Sequence, residues 1–135
     1  MVEGTAMTKK PQLEFVGSPN RLPRPPKGRV AVLDVAFASD QMFDLATEPF
    51  IAAVGDRLAL WCDHHEHAAG WAKHRDDPRF LLVPNRIAHA CPELITPEVA
   101  ARAGELDALV IHGDFDGLLT AVKLLRGGEP AWPEA

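Results

Sequence analysis

The chain has 135 residues, of which 47% are hydrophobic and 24% are charged, a composition typical of one compact globular domain. Its net charge of −5 argues against the strongly basic surface of a long nucleic-acid groove, although a local basic groove stays open. No stretch approaches the roughly 20 apolar residues of a membrane span, and no apolar run of a secretory signal follows Met1, so we expect a cytoplasmic protein without a membrane partner.

The chain begins with a polar, proline-rich segment, residues 1–28, which ends at Lys27-Gly28. Few apolar side chains are available for burial there, so we expect a flexible N-terminal arm rather than part of the core. The pattern changes at Arg29, and we expect residues 29–128 to form the folded domain. Residues 129–135 supply no strand after the last helix, and we expect this tail to be truncated.

Strands and helices alternate along the folded domain. Near-continuous apolar runs predict strands buried on both faces, as in parallel sheets, at residues 30–36, 57–62, 80–83 and 107–112. Helical patterns separate these runs, at residues 40–54 with a break at Pro49, between His65 and Asp77, from Thr96-Pro97 onward, and at residues 118–126. The alternation predicts an α/β fold with a mainly parallel sheet flanked by helices.

Acidic and histidine side chains follow three of the predicted strands. Asp34 lies near the end of the first strand, Asp63-His64-His65 follows the second, and the run from His112 to Gly117 follows the last. Because ligands of open α/β sheets bind beyond the carboxyl ends of the strands, we expect these groups to converge on one edge. Several carboxylates in one pocket repel each other, and bound cations are the natural compensation.

The ligand types indicate which cations would bind. Carboxylate and imidazole groups without thiolate favour manganese, magnesium, zinc or iron over a structural cysteine–zinc site. Two divalent cations that share a bridging carboxylate form a standard site for phosphoester hydrolysis. Gly117 would let the chain turn sharply from an acidic loop, residues 113–117, into the next helix, whose N-terminus favours a phosphate anion.

Three segments together resemble the motifs of the DHH-family phosphoesterases, and of RecJ-like members in particular. His112-Gly-Asp114-Phe-Asp116-Gly is similar to the His-x-Asp-x-Asp-Gly motif, Asp63-His-His to the motif that names the family, and Asp34 to its isolated aspartate. The resemblance covers about residues 29–128 and implies a DHH-like α/β fold.

The resemblance also implies a set of metal ligands for two Mn²⁺ or Mg²⁺ ions. His112 and Asp114 would hold the first ion, and Asp116 and His64 would hold the second. Asp34 would bridge both ions. The substrate would be a phosphodiester, such as a single-stranded nucleic-acid end, a short oligonucleotide or a cyclic dinucleotide, attacked by a hydroxide that the metals activate.

Four further residues have roles next to these ligands. The resemblance implies that Asp63 orients a histidine and that His65 faces the scissile phosphate. Arg86 is a candidate for phosphate contact, with a solvated surface arginine as the alternative. Gly117, at the start of the last helix, is the other candidate for substrate binding.

The chain departs from the family in the order of its motifs. Family members place the His-x-Asp-x-Asp-Gly motif first, whereas here it comes last, and a circular permutation of the fold explains this order. A fourth-motif aspartate and the second, substrate-gripping domain have no clear counterpart, since Asp107 opens a strand rather than ending one. Two alternatives therefore stay open: a regulatory module that binds a metal or nucleotide without turnover, and a phosphomonoesterase or pyrophosphatase. The oligomeric state is open too.

Overall fold

A computed structural model describes residues 10–130 of the chain. The strands are β1 (Gln12–Val16), β2 (Val30–Leu33), β3 (Leu58–Asp63), β4 (Phe80–Leu82) and β5 (Ala108–His112). The α-helices are α1 (Glu48–Val54), α2 (Ala68–His74), α3 (Pro97–Ala103) and α4 (Phe115–Leu125). Shorter helical turns cover Phe43–Thr47, Gly55–Arg57 and Cys91–Leu94.

All strand pairs in the sheet are parallel, and the strand order is β1-β5-β2-β3-β4. Strand β5, the last of the described strands, therefore lies between β1 and β2. Leu33 of β2 is in register with Ile111 of β5 and Cys62 of β3. The carboxyl ends of β2, β3 and β5 are consequently adjacent at one edge. The prediction of an α/β fold with a parallel sheet flanked by helices is confirmed.

The sheet separates two layers of apolar side chains. On one face, Val30, Val32, Trp61 and Val110 pack together with the aromatic side chains between Phe37 and Phe80. The other face packs against α3 and α4. Because alternate side chains of each central strand enter opposite layers, these strands are buried on both faces. This burial explains the near-continuous apolar runs in the sequence.

Strand β1 corrects the prediction that residues 1–28 form an arm without a part in the core. Residues 12–16 pair along their whole length with β5, and Val16 is buried in the core. The apolar side chains Leu13 and Phe15 are exposed, so the segment carries little of the burial signal that predicts a strand. Residues 1–9, and 131–135 of the predicted tail, lie outside the described residues.

The helix predicted over residues 40–54 is present but irregular. A π-helical turn, Phe43–Thr47, precedes α1, and Pro49 lies in the first turn of α1. Thr47 also has helical backbone angles, so the π-helical turn continues into α1 and Pro49 lies within one irregular helix, from which it removes a backbone N–H donor. No helix within residues 10–130 has both the length and the apolar content needed to cross a bilayer.

Candidate metal centre

Asp34 lies at the centre of the site, directly after β2. Its φ of 62° is in the left-handed region, and its backbone N–H donates to the carbonyl of Cys62 at 2.8 Å. The side chain is only 1% exposed, yet neither carboxylate oxygen has a hydrogen-bond partner among the described residues. Backbone strain and an unpaired buried carboxylate are both costly, and such costs are typical of functional sites.

Imidazole rings from two other strand ends surround this carboxylate. Oδ1 of Asp34 lies 3.4 Å from Nε2 of His64 and 3.9 Å from Nδ1 of His65, which both follow β3. Oδ2 lies 3.7 Å from Nδ1 of His112, the last residue of β5. Each oxygen of Asp34 therefore faces an imidazole from a different neighbouring strand.

The His64 ring is held in one tautomer. Its Nδ1 lies 2.8 Å from the carbonyl oxygen of Ala88, which can only accept, so Nδ1 carries the hydrogen. In the neutral ring, Nε2 then presents its lone pair to Oδ1 of Asp34. Two buried acceptors that face each other are stable only with a cation or a proton between them. Histidine ligands of metals are typically oriented in this way, by a carbonyl that accepts the other N–H.

The sequence motifs did not reveal this role of Ala88. Its carbonyl is positioned by a turn in which the N–H groups of Ile87 and Ala88 both donate to Pro84. Every residue has a carbonyl, so composition gives no signal for such a partner.

The Asp63 carboxylate holds the His65 ring and backbone. Oδ1 of Asp63 lies 2.7 Å from Nδ1 of His65, and Oδ2 accepts from the backbone N–H of His65 at 3.1 Å. The hydrogen bond to Asp63 raises the pKa of His65 above its usual value, with the charges of Asp63, Asp34 and Asp114 acting in the same direction. The His65 side chain is 42% exposed, so it can meet a ligand from solvent.

Asp114 links the site to helix α4. Its Oδ1 accepts from the N–H of Gly117 at 2.8 Å, which makes Asp114 the N-cap of α4. Its Oδ2 lies 3.0 Å from Nδ1 of His112. One carboxylate thus fixes the start of the helix and faces the imidazole at the end of β5.

The ligand atoms form two groups that share one residue. Asp34, His64 and His65 form the first group, and Asp34, His112 and Asp114 form the second. Burial, followed by the charge of Asp114, raises the pKa of Asp34 to about 6. The ionised form of Asp34 is therefore poorly stabilised by the protein alone, and a bound cation would stabilise it. The donor set fits two divalent cations with Asp34 between them.

Two predicted residues lie apart from these groups. Asp116 is half-buried in the first turn of α4 and belongs to neither group; it lines a separate cavity of about 180 Å³ with Glu93 and Lys123. The structure thus places His65, rather than Asp116, beside Asp34 and His64. Arg86 is exposed, and its guanidinium pairs with Glu66 at 3.1 Å.

Asp107, the poor candidate for the fourth-motif aspartate, lies just before the start of β5. Its carboxylate accepts from the backbone N–H of Arg29 at 2.7 Å, next to the first residue of β5. In a parallel sheet this is the edge opposite to the one where His112 lies. No other aspartate from a further strand end joins the two groups within the described residues.

The structure corrects the prediction for Gly117. The acidic loop predicted over residues 113–117 is shorter, because α4 already begins at Phe115 and Gly117 lies inside its first turn. A Cβ at Gly117 would overlap the carbonyl oxygen of His112. Glycine is therefore needed here for close packing of the helix against the end of β5, rather than for a turn.

We expect Gly117→Ala to lower the free energy of unfolding by about 3 kcal/mol, because the helix must move away from β5. Gly113→Ala is the matched control, since a Cβ there would lie 3.6 Å from the Val16 carbonyl, an ordinary contact. It should cost less than about 0.5 kcal/mol. Urea unfolding of both variants gives the comparison, and equal stabilities would contradict this account of Gly117.

The chain matches no protein-family model, no curated protein and no solved structure.

Proposed function

We propose that this protein is a two-metal phosphoesterase with a DHH-like site that hydrolyses a phosphodiester. The observation that carries the proposal is the buried carboxylate of Asp34, whose two unpartnered oxygens face imidazoles from two different strands. A carboxylate with two free oxygens and a further ligand beside each can bridge two divalent cations. Asp34, His64 and His112 are also the residues that belong to the three motifs resembling the DHH family, in the permuted order described above.

The contacts support a division of roles among the ligands. His112 and Asp114 would hold one cation with Asp34, and His64 would hold the other through Nε2. Mixed carboxylate and imidazole ligands favour Mn²⁺ over Mg²⁺, because magnesium prefers an all-oxygen shell. Asp116 belongs to neither ligand group, so we assign it no ligand role.

The hydrogen bond between His65 and Asp63 favours a role at the substrate. Nδ1 is engaged by Asp63, so the other ring nitrogen of His65 remains for a phosphate oxygen. The raised pKa of His65 keeps the ring protonated to higher pH, and it can then donate a hydrogen bond or a proton. Bound divalent cations would lower the pKa of a water molecule and neutralise charge on the phosphate.

A regulatory module that binds metal or nucleotide without turnover is the second candidate. The position of Asp116 outside both ligand groups favours it, because one ligand of the implied set is missing. This module would bind cations and a phosphoester but release no product.

The test combines metal stoichiometry with hydrolysis. Wild-type protein should bind two Mn²⁺ ions by isothermal titration calorimetry, and it should hydrolyse bis(p-nitrophenyl) phosphate only when Mn²⁺ is present. His64→Ala and His112→Ala should each lose one ion and reduce hydrolysis at least about a hundredfold, since each removes one partner of Asp34.

His89→Ala is the matched control, because His89 is an exposed histidine in the same segment as Ala88. It should retain both ions and full activity. Two bound ions without turnover of a panel of phosphodiesters would favour the regulatory module. Absence of Mn²⁺ binding would reject both candidates.

A further inference from the structure

Strand β1 forms an open edge of the sheet. Among the strands within residues 10–130 its only neighbour is β5, and the pairing runs from Gln12 to Val16 without a bulge. The strand at the opposite edge, β4, has three residues, and Pro84 lies soon after its end. Short strands and prolines protect an edge from pairing with another chain. Because β1 has five residues and no proline, it is the edge that can accept a further strand.

The backbone of β1 offers hydrogen-bonding groups along this open edge. The N–H of Gln12 and the carbonyl of Val16 are both bonded to residues that flank β5. Successive residues of a strand direct their N–H and C=O groups to opposite sides, so those of Leu13 and Phe15 point away from β5. A row of such groups is a template for pairing with another strand.

An apolar strip accompanies the open edge on one face of the sheet. Val16 enters the core, and Leu13 and Phe15 therefore point to the opposite face. There, Phe15 lines a shallow groove together with Phe115 and Leu118 of α4. The edge strip, which we define as Leu13, Phe15, Phe115 and Leu118, consists of side chains that are 45% to 66% exposed. They present roughly 400 Å² of apolar surface, a size typical of patches that bind a partner.

We propose that β1 pairs antiparallel with β1 of a second copy of the chain, about a two-fold axis at Leu13. The two Leu13 residues would exchange both backbone hydrogen bonds, and the N–H of Phe15 would donate to the carbonyl of the partner's Pro11. A two-fold axis perpendicular to the sheet places the same face of both copies on one side. The two edge strips therefore meet, and each covers the other.

The polar side chains of β1 favour this register. With Leu13 on the axis, Gln12 lies opposite the partner's Glu14, and Lys10 lies diagonally across from that carboxylate. The Gln12 amide donates to Glu14 of its own strand, and its remaining N–H can donate to the partner's Glu14. A register with Glu14 on the axis would place two carboxylates directly opposite each other, which is destabilising. The open edge is thus complementary to itself, as a two-fold interface requires.

The area of the edge strip indicates a weak dimer that depends on concentration. Non-obligate interfaces are about 57% apolar, so an apolar strip of roughly 400 Å² corresponds to about 700 Å² per copy. Standard interfaces bury about 800 Å² per partner, slightly more than this. We therefore expect a dissociation constant in the micromolar range. This inference does not depend on the proposed function.

Sedimentation velocity over a range of protein concentrations tests the pairing. The wild-type protein should change from monomer to dimer in the micromolar range. Leu13→Lys places two like charges at the axis and should weaken dimerisation at least about a hundredfold. Leu45→Lys is the matched control, because Leu45 is 66% exposed but lies in the π-helical turn. It should retain the wild-type dissociation constant. Far-UV circular dichroism verifies that both variants are folded.

Gln12→Lys provides a measurement that misfolding cannot imitate, because this variant should form a tighter dimer. The introduced ammonium group would lie opposite the partner's Glu14, and the dimer contains this pair twice. The dissociation constant should fall about fivefold at low ionic strength. Gln12→Glu should raise it by a similar factor, since two carboxylates would then face each other. High salt should reduce both effects.

Cross-linking reports the register. Dibromobimane alkylates two thiols that lie close together, and Cys62 and Cys91, the free cysteines of the wild type, are both buried. Leu13→Cys should therefore give a covalent dimer, because the two copies of this position meet at the axis. Phe15→Cys should not, because its two copies lie four residues apart along the paired strands, about 13 Å.

Three results would overturn the inference. A wild-type protein that stays monomeric up to about 1 mM would leave the open edge to a strand of a different protein. A wild-type dimer with the same dissociation constant in Leu13→Lys would place the interface elsewhere. A covalent dimer of Phe15→Cys without one of Leu13→Cys would reject the axis at Leu13.

Discussion

The Asp34→Asn variant should lose both metal ions and at least about a thousandfold in hydrolysis, yet its metal-free form should be more stable than the wild type. The free energy of unfolding near pH 7.5 should rise by about 2 kcal/mol. The two effects have one cause. The buried charge that binds the cations is the charge that the metal-free protein stabilises poorly, since its pKa is raised to about 6.

Asparagine suits the position of Asp34 in two respects. It tolerates the left-handed backbone at φ 62°, which alanine or a β-branched residue would not. Its amide N–H groups can also donate to the lone pair on His64 Nε2, where the carboxylate offers only a second acceptor. Loss of the bridging charge removes an interaction with both cations, and several kcal/mol of transition-state stabilisation corresponds to about a thousandfold in rate.

Asp40→Asn is a matched control for this variant. Asp40 also has a positive φ, 54°, but it is exposed and belongs to neither ligand group. It should change stability by less than about 0.5 kcal/mol and leave metal binding intact. Guanidinium unfolding in the presence of a chelator measures the stability of each variant. A metal-free Asp34→Asn protein less stable than the wild type would show that the Asp34 carboxylate makes stabilising contacts after all.

The convergence of the site could be predicted because it depends on simple rules for parallel sheets. Asp34, His64 and His112 each lie at or just after the end of a strand that is apolar on both faces, and such strands present their carboxyl ends at one edge. The order of strands was not predictable in this way. Insertion of β5 between β1 and β2 places His112 beside Asp34, and no local pattern encodes that pairing.

The parts that the sequence did not predict depend on contacts between distant residues. Strand β1 exposes Leu13 and Phe15, so only its pairing with β5 identifies it as a strand. The carbonyl of Ala88 that fixes the His64 ring leaves no trace in residue identity. The position of Asp116 follows from the start of α4 at Phe115, three residues earlier than the helical pattern at residues 118–126 indicated.

The metal-free protein should become less stable as the pH rises from about 4 to 7. Asp34 has a pKa of 3.8 when unfolded and about 6 when folded, so the folded state holds more protons across this interval. Stability falls with pH wherever the folded state binds more protons, and the shift corresponds to about 3 kcal/mol. His65 acts in the same direction. Its pKa is raised in the folded state, so its stabilising contribution is lost as the pH rises above 6.5.

Other shifted carboxylates act at lower pH. The pKa values of Glu48 and Asp77 are lowered from 4.5 and 3.8, so their stabilising contributions are present above those values and are lost only in more acidic solution. Between pH 5 and 7, the change in the free energy of unfolding with pH therefore reports the titration of Asp34 and His65. Asp34→Asn should remove most of this slope, whereas Asp77→Asn should leave it unchanged in that interval.

With saturating Mn²⁺, the free energy of unfolding should rise with pH instead of falling. Cations compete with protons for Asp34 and the histidines, so metal affinity, and with it the stability of the folded state, increases with pH. At a free Mn²⁺ concentration one hundred times Kd, the free energy of unfolding gains about 2.7 kcal/mol, close to the cost of ionised Asp34 in the metal-free protein.

Thermal unfolding from pH 5 to 7.5, with Mn²⁺ and with chelator, measures how stability depends on pH in the two conditions. Parallel slopes in the two conditions would mean that Asp34 titrates independently of the cation, and the bridging role would have to be abandoned.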